Sequence, residues 1–221
     1  MAGDICSSRI PMNKSSSCST REKCSVIHCF IPAARAGQFR NVLQEGRIFC
    51  VGGFEVGRCT NLYKITDHPF VIRFLPSTTI VEVNHVGATI EREKFMLRKG
   101  DHLQALANTN LELPDVVGQI KFVQGSNLDD PTSTQRLVVR FMLDSSTIVY
   151  LSLWDDAAAT FRAYLTSGDS INSVMLVTTI NPKPFGGNLY LNSTSATRFY
   201  FDHSIEPIDQ FTKRMGIEKT L

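Results

Sequence analysis

The sequence predicts an all-β chain of two five-stranded Greek-key barrels in tandem, each with a short helix, the first truncated at its N-terminus. Three observations carry this prediction. Residues 115–221 read as β-β-β-α-β-β. A partial second copy of that pattern, starting at its third strand, opens at Ser25. Between the strand-like runs, glycine and proline fall at bends, turns and strand ends.

The order of elements follows from periodicity. Residues 1–24 are Ser-rich without alternation and are expected to be a disordered tail. "SVIHCFIP" reads as a strand, and "AARAGQFRNVL" has helical spacing in Ala33, Ala36, Phe39, Val42 and Leu43. "RIFCVGGFEV" reads as a strand bent at Gly52-Gly53, and "HPFVIRFLP" and "TTIVEV" as two more. Residues 25–98 thus form the partial first barrel, and 99–114, with a short helix near Leu103–Ala107, form a linker.

The second barrel, 115–221, opens with "DVVGQIKFVQG", where Gly118 suits tight curvature. "QRLVVRFMLDSS" and "TIVYLSLWDD" form a hairpin about a Ser-Ser turn, and "AAATFRAYL" a helix. "SVMLVTTINPKPFGGNLYLNS" reads as strand, loop, strand, and "IDQFTKRMGI" as a closing helix. Three strands, a helix and two strands in about 100 residues is the pattern of the OB-fold.

Composition narrows the function classes. At 221 residues and 43% apolar the chain can bury a core, and its net charge of +2 neither demands nor excludes a polyanion. No run approaches a membrane span and no apolar leader follows the first residues, so an intracellular protein is expected. All six cysteines lie between Cys6 and Cys59 with no CxxC pair, so no metal is expected; His28 near Cys24 and Cys29 is only a faint hint. There is no GxxxxGK[ST] loop, GxSxG elbow or HExxH pair, and Asp155-Asp156 suits a helix start better than a metal, so neither an enzyme nor a cofactor is expected.

The aromatic and basic residues suggest a binding face. In "TIVYLSLW", Val149, Leu151 and Leu153 share one side, and Tyr150, Ser152 and the sole tryptophan, Trp154, the other. Because Ser152 marks that side as polar, Trp154 points outward; pattern alone leaves it a stacking ring or a core plug. Phe185, before Gly186-Gly187, is either a loop anchor or a ring folded over a ligand, with Lys183 set for a phosphate. Tyr63 and Lys64 occupy the comparable loop of the first copy, and Arg58, Arg73, Arg136 and Arg140 could form a phosphate track.

These residues also carry a resemblance. "LQEGRIFCVGGFEVG", "YKITDHPFVIRF", "LQALANTNLELPDVVGQI", "LSLWDDAAATF" and "PKPFGGNLYL", in this order, resemble the DNA-binding large subunit of the replication protein A family, especially its plant-type members, over roughly residues 25–215. The resemblance implies two stacking aromatics per OB domain. In the second domain they fall on Trp154, seven residues before Phe161, and on Phe185. In the first they fall on Tyr63 and, because the strand-end position lands on Pro32, on Phe30 as a substitute. It further implies single-stranded DNA as partner with little sequence specificity, a role in replication, repair or recombination, a nuclear location, and assembly with the smaller subunits. The family's zinc-bearing third OB domain has no match in these residues. Two other readings stay open: a protein-interaction module that has lost DNA binding, and an RNA binder.

Overall fold

A computed structural model describes residues 10–12, 25–60, 62–83, 93–167 and 172–217. The chain divides into two compact units, one of residues 1–61 and 66–94, the other of 62–65 and 95–221.

In the first unit, β1 (Ile10–Met12), β2 (Ser25–Phe30), β3 (Phe49–Arg58) and β4 (Phe70–Glu82) form a sheet in the order β1-β2-β4-β3, with α1 (Ala33–Arg40) between β2 and β3. No strand is expected ahead of Ser25, yet Ile10–Met12 pairs antiparallel with β2. Three residues around a proline are too few to show alternation. The rest of 1–24, expected to be a disordered tail, lies outside the described residues. The two runs expected around Pro76 are one 13-residue strand. The bend expected at Gly52-Gly53 is a register shift between Gly52 and Phe54. Gly53 has φ +67°, and a Cβ there would stand 2.7 Å from the Ser77 carbonyl oxygen, so this bend requires glycine. The core is small: Ile27, Ile31, Ile72 and Phe74, with Phe39 edge-on to Phe74 at 5.3 Å.

The second unit contains α2 (Gly100–Leu106), β5 (Val116–Gly125), β6 (Leu137–Met142), β7 (Ile148–Leu153), α3 (Asp155–Thr166), β8 (Val174–Val177), β9 (Asn181–Phe185), β10 (Asn188–Asn192), β11 (Phe199–Tyr200) and α4 (Glu206–Met215). β5, β6 and β7 form an antiparallel meander, β10 lies parallel to β7, and β9 flanks β10. β8, three residues before β9, returns to pair with β5. One bent run, β8 then β9, therefore bonds β10 at one end and β5 at the other, which closes the barrel. With α3 between the third and fourth strands, this is the OB-fold. The tightest point is Gly118, where a Cβ would lie 2.6 Å from the Met142 carbonyl oxygen.

Alternation fills the interior: Ile120, Leu137, Val139, Phe141, Val149, Leu151, Leu153 and Leu191 are buried in one cluster with Phe161 of α3. The strand, loop, strand reading of 173–193 is corrected to three strands. "NPKPF" is itself β9, joined to β10 by a two-residue turn in which Gly186 and Gly187 have φ +56° and +78°. Its prolines escaped the β pattern because they sit opposite Leu191 and Leu189, at alternate positions where a strand N–H turns away from its partner.

Candidate nucleic-acid interface

The outer face of the second barrel is set by register. Phe122 of β5 lies opposite Arg140 of β6, Arg140 opposite Tyr150 of β7, Tyr150 beside Tyr190 of β10, and Tyr190 opposite Lys183 of β9. This row sets three rings and two cations side by side across five strands. One row on, toward the start of β7, Phe185 stands opposite Asn188. The next row the other way carries Ser152 and Asn192 side by side, and Trp154 follows at the end of β7.

Trp154 and Phe185 stand 45% and 73% exposed. Trp154 directly precedes α3, whose first two residues are Asp155 and Asp156. Carboxylates suit the positive end of a helix. The Trp154 backbone N–H donates to Ser193 Oγ at 3.0 Å, and its indole Nε1 donates to Asn192 Oδ1 at 3.4 Å, the long limit of such a bond. Phe185 is held edge-on to Tyr190 at 5.8 Å, and Tyr190 stacks on Tyr150 at 5.2 Å.

Arg136 reaches into this cluster. Its guanidinium carbon lies 5.0 Å from the Trp154 ring centre and 6.0 Å from that of Tyr190, and Nη2 donates to Ser152 Oγ at 2.9 Å. Ser152 is fully buried although its strand position puts it on the outer face. The inference from Ser152 to an outward Trp154 therefore reached the right side, while the serine itself is covered. Lys183 Nζ donates to Asn110 Oδ1 at 2.7 Å.

The structure thus brings Trp154, Phe185, Lys183 and Arg136 onto one face. Tyr150, Tyr190 and Phe122 join them, none of which the sequence reading singled out as a contact. The helix residue Phe161 is fully buried, edge-on to Phe199 at 5.6 Å, and is core.

The first-copy residues are placed differently. Phe30, 46% exposed, ends β2 beside Arg73, which lies opposite Glu55 on β3. Arg58 falls on the other side of its strand, opposite Phe70, next along that side from the pair of Val56 and Ile72. Tyr63 and Lys64 belong to the second unit. Their backbone N–H groups donate to the Asn110 and Leu111 carbonyls at 2.7 and 2.9 Å, and Leu113 N–H donates back to Lys64 at 2.7 Å. Tyr63 takes φ +60° there.

No family model and no curated protein matches the sequence. Solved structures do. A replication protein A heterotrimer bound to ssDNA is similar at 19% identity over 88% of this chain and 45% of that one, with a TM-score of 0.47. The Ifi202 HINa domain in complex with 20 bp dsDNA is similar at 9% identity over 82% and 80% of the two chains, with a TM-score of 0.43. An OB domain from Thermoplasma acidophilum is similar at 15% identity over 40% and 74%, with a TM-score of 0.26. This chain spans less than half the length of the replication protein A chain it matches.

Proposed function

We propose that the outer face of the second barrel binds single-stranded DNA with little sequence preference, in replication, repair or recombination within the nucleus. One observation carries the reading: two exposed rings, Trp154 and Phe185, share a face with Tyr150, Tyr190, Arg140 and Lys183. A ring offers its π-face to any base, and stacking contributes about 1–3 kcal/mol per base. Lys183 and Arg140 neutralise phosphates, so affinity falls as salt rises. Phe30 and Arg73 of the first unit, and Tyr63 with Lys64, would add weaker contacts, and assembly with smaller replication protein A subunits belongs to the same proposal.

The test is label anisotropy with a single-stranded oligonucleotide, for wild type and Trp154→Ala, at two salt concentrations. Wild type is expected to bind, to weaken with salt, and to lose most affinity in the folded variant. No binding by folded wild type at low salt would overturn the reading in favour of a protein-interaction module. Equal competition by RNA would broaden the ligand to single strands of either kind.

A further inference from the structure

We infer that Arg136 positions Trp154 and does not serve as a phosphate contact; this rests on the reading of the face given above. The guanidinium is already committed within the cluster. It is anchored to the buried Ser152 hydroxyl at 2.9 Å, lies 5.0 Å over the indole, and comes within 6.0 Å of Tyr190. No carboxylate among the described residues bridges to it, so its charge is met by ring faces rather than by an acid.

Trp154 needs such a support. It sits one residue past β7, nearly half exposed, with a single long edge contact from Nε1 to Asn192. A ring free to change rotamer must be ordered when a base stacks on it, and that ordering weakens binding. Arg136 covers one face of the indole, fixes its plane and leaves the opposite face for a base. A planar fork can donate to Ser152 while its flat face covers the ring; a lysine ammonium has no flat face to stack and would hold the ring less well.

The experiment uses the full chain, a labelled oligothymidylate and a salt series. Arg136→Ala is expected to weaken binding about two- to fivefold, the loss of a cation–π contact at an exposed site. The slope of log K against log salt is expected to stay unchanged. In a Trp154→Ala background the same substitution is expected to cost nothing more. Acrylamide quenching of the single tryptophan, read without DNA, is expected to rise in Arg136→Ala and to be only partly restored in Arg136→Lys. A slope shallower by about 0.7, the signature of one lost phosphate contact, would overturn the inference. So would unchanged quenching in folded Arg136→Ala. If wild type fails to bind DNA at all, the function reading falls, while quenching still decides whether Arg136 holds the ring.

Discussion

The ring of Phe185 stands edge-on to Tyr190, centroids 5.8 Å apart and planes at 80°, yet remains 73% exposed. An apolar ring held in place but left in water suits a partner that covers its face. Tyr190 in turn stacks on Tyr150 at 5.2 Å, so the support for Phe185 runs back into the central strands.

Phe185→Ala is therefore expected to weaken oligonucleotide binding by about 1–3 kcal/mol, roughly five- to 150-fold, with an unchanged melting temperature. Tyr190→Ala, which removes the support and leaves the ring, is expected to give a smaller loss in the same direction. Anisotropy titration with parallel thermal melts checks both. Equal affinity of Phe185→Ala and wild type would remove this ring from the site.

Much of the site was legible because the apolar side of β7 keeps its period, although Ser152 on the other side is covered. Val149, Leu151 and Leu153 are buried, and Trp154 is not, as the two-residue period requires. Tyr190 was equally legible, since "NLYLN" places it with Asn188 and Asn192 opposite Leu189 and Leu191. Phe122 was not. Ile120 and Phe122 share a parity, but the register shift between them turns Ile120 inward and leaves Phe122 56% exposed. A bulge leaves no mark in alternation until the pairing is known. Tyr63 lies in a loop as expected, but its N–H donates to the Asn110 carbonyl and that of Lys64 to the Leu111 carbonyl, a pairing that spacing alone cannot reveal.

The Ser145-Ser146 turn between β6 and β7 is organised by Asp144. Its Oδ1 accepts from Ser146 N–H and Oγ–H, both at 2.9 Å, and from Thr147 N–H at 2.8 Å. The Ser146 backbone bond, aided by the other two, holds this carboxyl below its ordinary range. A depressed folded pKa stabilises above the unfolded value, near pH 4, and that contribution is lost as pH falls through the folded pKa. Urea unfolding should find Asp144→Ala less stable than wild type at pH 7, by under about 1 kcal/mol because the group is solvent-screened. The gap should narrow at pH 3. A gap independent of pH would mean the turn does not depend on the charge.

Gly118 sets the barrel's curvature. A Cβ would meet the Met142 carbonyl oxygen at 2.6 Å and the Phe141 ring at 2.8 Å, the first backbone and the second a fully buried ring. Neither can yield cheaply, so Gly118→Ala is expected to cost about 1–3 kcal/mol by urea unfolding, the usual range for overpacking. An unfolding midpoint equal to that of wild type would show that β5 can shift away from Met142.

Arg162 holds the loop between β5 and β6. It lies on α3 one residue after the core ring Phe161, is fully buried, and donates from Nε, Nη1 and Nη2 to the carbonyls of Asn127, Ser133 and Ser126, each at 2.9 Å. Three fixed donors on one planar group tie down both ends of the loop at once. A lysine offers one compact head and cannot span three acceptors. Arg162→Met would keep the stem's packing and orphan the carbonyls, so it is expected to cost about 3 kcal/mol or more by urea unfolding, with Arg162→Lys between it and wild type. Limited proteolysis should then cut first within residues 126–133, because the loop opens before the barrel does. If Arg162→Met unfolds at the wild-type midpoint and its loop resists cleavage, the guanidinium is not what fastens that loop.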